Sequence, residues 1–409
     1  MSRDNHDNVI ALLATFKHYG ATAAGGLTRL VYDAHWLQAQ QAFIAQAKAY
    51  GLTCFIDPMG TVYATTPTRN ADEPVILTGS HMDTVINGGG LDGQYGVLAS
   101  LVAVGELLAQ YGPPQKPLGV VAFSEEEGSR FPTTFSGSRW LTQQFNGQDN
   151  QLRDAQGVTF DAARQQAVAQ LAKLVPIRTT PTALAAYLEL HIEQGNILIA
   201  RGDELGLVTA IVGQRRLAIT LTGVSNHAGT TPMVGRVDAV AQAVALMHEL
   251  YQQLPKFDGL RYTIGQIMVS PNTANVIADA VQFSLDMRHE QQALLDEVTR
   301  FVMAQVAASG GKAHLTTDIS ATPLSSVLLE KAAQTAAQQH VRVHKMISGA
   351  GHDADAQVIA QSGVPVALLF VPSDQGISHA PAEATADQQL IQGQAILQAL
   401  LYQLGYQSS

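Results

Sequence analysis

Short, largely apolar segments that each stop at a cluster of glycine and polar residues constrain this chain more than any other feature. Pro74-Val75-Ile76-Leu77-Thr78 reads as a buried strand. It runs into Gly79-Ser80-His81-Met82-Asp83 and the glycine-rich stretch Asn87 to Gly93, and Gly96 to Leu108 follows as a buried helix. The pattern recurs. Leu118 to Phe123 ends in Ser124-Glu125-Glu126-Glu127-Gly128, and Ala185 to Leu190 leads into His191-Ile192-Glu193-Gln194-Gly195. Val364 to Phe370 precedes Gly376-Ile377-Ser378-His379. Continuous apolar strands need cover on both faces, which points to an α/β fold with a largely parallel sheet. In such sheets ligands bind outside the carboxyl ends of the strands, where these polar clusters fall.

The remaining chain is read in order. Residues 7–25 and 31–50 have helical patterns, and 52–57 with 61–65 read as a hairpin around Pro58-Met59-Gly60. Residues 161–174 are helical. Near Gly213 the pattern changes to alternation, as in Arg216-Leu217-Ala218-Ile219-Thr220-Leu221-Thr222, the mark of a strand with one wet face. A helix (236–254), strands at 261–269 and 281–288, a helix (291–308) and a strand at 312–317 follow. That is the order of a ferredoxin-like α+β sandwich. After Pro323 the chain resumes a helix, the strand at 364–370 and a final helix from 386. At 409 residues one core is too small a prior. The expected division is a catalytic α/β domain, 1–212 and 324–409, interrupted by an inserted domain, 213–323.

Composition narrows the function. A net charge of −10 without a basic patch gives no electrostatic case for nucleic acid. No apolar run reaches the ~18 residues of a membrane span, and the polar first residues lack a signal-peptide core. A cytoplasmic protein is the expectation. Cys54 is the only cysteine, so neither an internal disulfide nor a thiolate metal cage is available.

The polar residues past the strand ends are His81, Asp83, Asp92, Glu126, Glu127, His191 and His379. Imidazoles with carboxylates and no thiol suit zinc, manganese or a similar divalent ion. Three imidazoles and at least two acids exceed the need of one tetrahedral ion, and a pair bridged by a carboxylate fits the count better. Asp83, two residues after His81, is placed to hold the second nitrogen of that imidazole. Neighbours on an extended segment point opposite ways, so Glu126 and Glu127 can divide the work between general base and ligand. Gly88-x-Gly90-x-x-Gly93 also matches a dinucleotide fingerprint. The strand ends before those glycines, however, and Asp92 would face a pyrophosphate.

Eight segments then occur in a telling order. They are Gly79-Ser80-His81-x-Asp83-Thr84-Val85, Asn87-Gly88-Gly89-x-x-Asp92-Gly93, Glu125-Glu126-Glu127-Gly128-Ser129-Arg130-Phe131, Glu189-Leu190-His191-Ile192-Glu193-Gln194-Gly195, Gly213-Gln214-Arg215-Arg216, Asn226-His227-Ala228-Gly229-Thr230-Thr231-Pro232-Met233, Gly349-Ala350-Gly351-His352-Asp353-Ala354 and Gly376-Ile377-Ser378-His379. Together they resemble the amidase branch of the M20 metallopeptidase family, which holds allantoate amidohydrolases, N-carbamoyl-L-amino acid hydrolases and β-ureidopropionases.

The resemblance implies a di-metal catalytic domain with an inserted lid and dimerisation domain, hence a homodimer, and two divalent ions (Zn2+ or Mn2+) per subunit. His81, Asp92 and His191 would hold one ion with Asp92 bridging, and Glu127 and His379 would complete the other. Glu126 would be the base and His227 an oxyanion donor. Arg215, Asn275 and Arg288 would bind a small ureido-carboxylate, with Gln194 and Gly351 as further candidates. A surface salt bridge is the competing role for Arg215 and Arg288. The segments 83–96 and 127–132 look closest to allantoate amidohydrolases. The implied reaction is hydrolysis of the ureido C–N bond of allantoate to ureidoglycine, ammonia and carbon dioxide. Rivals are an N-carbamoyl-L-amino acid hydrolase or β-ureidopropionase, a NAD-dependent oxidoreductase, and a non-catalytic binding module with a damaged metal set.

Overall fold

A computed structural model describes residues 8–67, 73–348 and 355–407. In chain order the first elements are α1 (Asn8–Phe16), α2 (Ala34–Ala49), β1 (Thr53–Ile56), β2 (Val62–Thr65), β3 (Val75–His81), α3 (Gln94–Tyr111) and β4 (Leu118–Phe123). Next come α4 (Ser136–Leu141), α5 (Phe160–Leu171), β5 (Leu184–Ile192), α6 (Ile197–Arg201) and β6 (Leu205–Ile211). Then follow β7 (Gly213–Thr222), α7 (Ala239–Gln253), β8 (Arg261–Thr263), β9 (Ile267–Ser270), β10 (Ala280–His289), α8 (Gln292–Ala308), β11 (Lys312–Ile319) and β12 (Thr322–Pro323). The chain closes with α9 (Ser326–Gln338), β13 (Val343–Ser348), α10 (Asp355–Gln361), β14 (Val366–Val371) and α11 (Asp387–Gly405).

The described residues form two compact units. One comprises 8–67, 73–209, 324–346 and 355–407, and the other 210–323 with 347–348. In the first, strands run in the order β1-β2-β4-β3-β5-β14-β6, with β13 also on β6. The centre, β4-β3-β5-β14, is parallel. Every residue of β3, β4 and β14 is buried, so the apolar runs are covered on both faces. Helix α3 packs on β3, β4 and β5, and α11 lies against α3 and β14. The hairpin is real: β1 and β2 pair antiparallel, Thr53 opposite Thr65. Its turn is held by Asp57, whose carboxylate accepts from the amides of Met59 and Thr61 at 2.7 and 3.1 Å.

The second unit has a sheet ordered β11-β7-β10-β8, with β9 also on β10. Its strands are antiparallel. Alternate residues of β10 are buried, and Phe283, Leu285 and Met287 share a core with Leu246 and Leu250 of α7 and Val298 and Val302 of α8. The order and the two helices make this a ferredoxin-like sandwich.

Several sequence expectations shift. The first helix stops at Phe16 rather than Gly20 or Gly25, because the chain turns back at Gly20, which has φ +99° and there accepts the amide of Thr28. The strand expected at 261–269 is two, β8 and β9, broken at Ile264 to Gln266. Strands β6 and β13 and helix α10 have no counterpart among the sequence expectations. The Gly349 to Ala354 segment, including Gly351, lies outside the described residues. Among the described residues no helix is long and apolar enough to cross a membrane.

Candidate metal centre

The carboxyl ends of β3, β4, β5 and β14 bring the polar clusters together in the first unit. His81 is the last residue of β3 and His191 the next-to-last of β5. Asp92 sits one residue before Gly93, the N-cap of α3. Glu126 and Glu127 lie just past β4, and His379 follows β14 through a short turn.

Asp92 is the hub. One carboxylate oxygen lies 3.0 Å from His191 Nε2 and 3.7 Å from His81 Nε2. The other lies 3.0 Å from His379 Nε2 and accepts from Gln194 Nε2 at 2.9 Å. Donor atoms gather in three overlapping groups, each within 4.8 Å: His81, Asp92 and His191; His81, Glu126 and Glu127; and Asp92, Glu127 and His379. Burial opposes the Asp92 charge, yet the hydrogen bonds from His191 and His379 hold its pKa well below the usual carboxylate value. Burial likewise opposes a charged His191, but its bond to Asp92 raises the imidazole to about 9.

The ring tautomers are set from behind. His191 Nδ1 lies 2.8 Å from the carbonyl of Ile192, and His81 Nδ1 lies 3.0 Å from the carbonyl of Asp83. A carbonyl only accepts, so each Nδ1 carries the proton and each Nε2 is left to face the donor cluster. This corrects the expected role of Asp83. Its main chain, not its carboxylate, takes the His81 proton; the carboxylate stands 3.8 Å off. That carboxylate instead accepts the amides of Glu126 and Glu127, both at 3.0 Å. It thereby bends the acidic run, in which Glu125 adopts φ +56°. The segment is not extended, so Glu126 and Glu127 do not point opposite ways. Both reach the His81 side of the cluster.

Gly93 must lack a side chain. Its φ is +62°, and a Cβ there would overlap the His81 ring. The loop glycines therefore admit a ring and a carboxylate, which removes the dinucleotide reading. The same observation is a test of fit for metal. Three imidazoles, three carboxylates and no thiol converge, and the Nδ1 bonds of His81 and His191 turn their Nε2 atoms inward, so the donors suit one or two divalent ions.

Sequence reasoning missed three supports. Arg29 is fully buried, and burial pulls its guanidinium down to about 10. It donates to Gln94 Oε1 (2.7 Å), to the Met82 carbonyl (3.2 Å) and to the Phe16 carbonyl (2.7 Å), tying α1 to the loop of Asp83 and Asp92. Glu189 accepts from Ser80 Oγ, Tyr187 Oη and the Ala356 amide, linking β3, β5 and α10. Glu383 accepts from the amides of Leu91 and Asp92. The only sequence signal was that each is an ionic residue in an otherwise apolar or turn segment. Gln194 was a weaker candidate, but it lies on Asp92 directly.

The other expected residues lie in the second unit. His227 is exposed, and its Nδ1 accepts the amides of Gly229 (3.0 Å) and Thr230 (3.2 Å), which leaves Nε2 as the protonated, donating nitrogen. Asn275 lies beside it: its carbonyl accepts the Ala228 amide at 2.9 Å. Arg288 lines a cavity of about 530 Å³ with Arg216, Arg261 and Asp286. Its Nε bonds Asp286 at 2.9 Å. Arg215 fits the salt-bridge role instead. It is 7% exposed and its guanidinium binds Asp296 (3.2 Å), Asp318 (2.7 Å) and the Ile319 carbonyl (2.8 Å), so its fork is spent on the fold of its own unit.

A thiol-free cluster of this kind at the carboxyl edge of a parallel sheet has the donor chemistry of a divalent-metal site. The chain belongs to peptidase family M20/M25/M40, whose model matches residues 77–403. It is 42% identical over 398 residues to the allantoate amidohydrolase of Bacillus subtilis (strain 168), covering 95% of each chain. It is 33% identical to the N-carbamoyl-L-amino acid amidohydrolase of Geobacillus stearothermophilus, covering 94% of this chain and 95% of that one. In fold it is similar to the crystal structure of a hydantoinase/carbamoylase family amidase from Burkholderia multivorans. The TM-score there is 0.88 at 30% identity, with 99% of this chain and 98% of that chain covered.

Proposed function

We propose that this protein is an allantoate amidohydrolase that cleaves the ureido C–N bond with two divalent ions, Zn2+ or Mn2+, per subunit. The observation that carries the proposal is Asp92, which touches His191 and His379 through different carboxylate oxygens and belongs to two donor groups. That is the arrangement a bridging ligand needs. His81, His191 and Asp92 would hold one ion; Glu127, His379 and Asp92 the other. When bound, the ions supply Lewis-acid activation of water and of the ureido carbonyl. Glu126 takes the proton of the attacking water and returns it to the departing nitrogen. Water oxygen bonds to the ureido carbon, the bond to the terminal nitrogen breaks, and ammonia leaves. The remaining carbamate releases carbon dioxide and leaves the amine, ureidoglycine.

The second unit is assigned substrate recognition, the lid role and the contact of a homodimer. His227 supplies an N–H for the oxyanion, Arg288 a fork for the carboxylate, and Asn275 a polar partner for the ureido group. The identity of 42% to an allantoate amidohydrolase against 33% to an N-carbamoyl-L-amino acid amidohydrolase supports allantoate. The second reading keeps the same donor cluster, and a few recognition residues would decide between them. Ammonia release by metal-reconstituted protein, with allantoate and N-carbamoyl-L-amino acids side by side, tests the proposal. Higher kcat/KM on allantoate is expected; preference for a carbamoyl amino acid would overturn the substrate assignment and leave the mechanism.

A further inference from the structure

We infer that Glu383 is a positioning residue of the metal centre, a single buried carboxylate that fixes the separation of Asp92 and His379. The inference rests on reading those two residues as metal ligands. Glu383 is 9% exposed. Its Oε1 accepts the amides of Leu91 at 2.9 Å and Asp92 at 3.2 Å. Its Oε2 accepts the hydroxyl of Ser378 at 3.0 Å. Ser378 immediately precedes His379, and its Oγ also lies 3.2 Å from Gln194 Nε2. One side chain therefore grips the main chain of the bridging acid and the residue beside the last imidazole.

Two features show that this grip is needed. His379 is half exposed and adopts φ +55°, a conformation that a non-glycine residue keeps only when its surroundings enforce it. Packing alone does not enclose that ring, so hydrogen bonds to its loop must set its place. Gly89 is the second feature: a Cβ there would overlap the Glu383 carboxylate. The loop before Asp92 thus closes directly onto Glu383, with no side chain between.

The donor pattern separates geometry from charge. Two of the three donors are amides, which only donate, while a serine hydroxyl can also accept. In Glu383→Gln the amide oxygen can keep both main-chain bonds and the new N–H can meet Ser378 Oγ. In Glu383→Ala all three bonds go. The experiment uses the full chain stripped by chelator and titrated with Zn2+ or Mn2+ by calorimetry, with Tm followed in parallel. Loss of a residue that orients a ligand costs about 10–100-fold in metal affinity, so E383A should weaken at least one ion by that factor. E383Q should stay within about 3-fold of wild type, because its hydrogen-bond geometry is kept. A merely structural role would lower Tm without this split in affinity. If E383A fails to fold, Ser378→Ala removes the hydroxyl that links Glu383 to Gln194 and Asp92, leaves both main-chain bonds of Glu383, and should still weaken binding several-fold. Wild-type affinity in E383A or in S378A, or equal losses in E383A and E383Q, would overturn the inference. A wild-type chain that binds no divalent ion would overturn the metal reading itself.

Discussion

Replacing Asp92 by asparagine should show how tightly the chelated cluster holds a proton in place of metal. Asp92 Oδ1 lies 3.0 Å from His191 Nε2, and both residues are almost fully buried. Against the desolvation that lowers it, this bond raises His191 from 6.5 to about 9. At about 1.4 kcal/mol per pH unit, the surroundings of His191, Asp92 foremost, favour the imidazolium by about 3.5 kcal/mol net. The asparagine keeps the shape and removes the charge, so the Glu189 charge and the Ile192 carbonyl are left to oppose burial, and His191 should titrate well below its wild-type value of about 9. Histidine-labelled NMR of the chelated protein reads this directly, with the His191 resonance moving near pH 9 in wild type and at lower pH in D92N. Linkage gives a second readout. A raised histidine stabilises the fold fully below its unfolded pKa and loses that contribution as pH rises through about 9. The stability difference between chelated wild type and D92N should therefore be largest near about pH 6 and shrink toward about pH 10. Metal binding to wild type near about pH 7 should release the proton. A His191 titration unchanged by D92N, or a stability gap that is flat from about pH 6 to 10, would refute the electrostatic account of the hub.

Three further outcomes are expected. Glu126→Gln should abolish turnover while divalent ions still bind; normal turnover would remove Glu126 as the base. His227→Ala should cut kcat by about 10²-fold or more, the usual loss of an oxyanion donor, with metal retained, and an unchanged rate would exclude it from the chemistry. Gly93→Ala should impair metal binding because the new Cβ meets the His81 ring at a left-handed backbone, and full affinity in calorimetry would contradict the packing described.

The strands that carry the donors were legible because each is a largely buried, mostly apolar run with an abrupt polar end. That signature marks β3, β4, β5 and β14, and with them six of the donors. Strand β6 was hidden because only Val212 separates Leu205 to Ile211 from β7, too short a connection to read as a turn between two strands. Strand β13 carries His344 and Lys345, which read as polar surface. The division between Asp83 and the two glutamates could not be read from spacing, since it depends on a left-handed Glu125. Arg29, Glu189 and Glu383 each have at least one partner 53 to 292 positions away, and no local pattern encodes such pairs. Arg215 shows the reverse case: its motif was visible, but its partners Asp296 and Asp318 became neighbours only through the register of β7 with β11 and the packing of α8.

The position of β14 between β5 and β6 bears on how the chain is made. During synthesis β5 and β6 emerge before the second unit, while β14 arrives more than 150 residues after β6 ends. Until then the edge of β5 that carries His191 has no neighbour, and a slot one strand wide must wait through the whole insertion. A self-contained sandwich that completes its own core in the meantime keeps that intervening chain from competing for the open edge. His81, Asp92 and His191 are all synthesised before the slot is filled, but His379 comes only after it. The donor group of Asp92, Glu127 and His379 thus acts as an inspection stamp: a chain that presents it has already threaded its last strand into place.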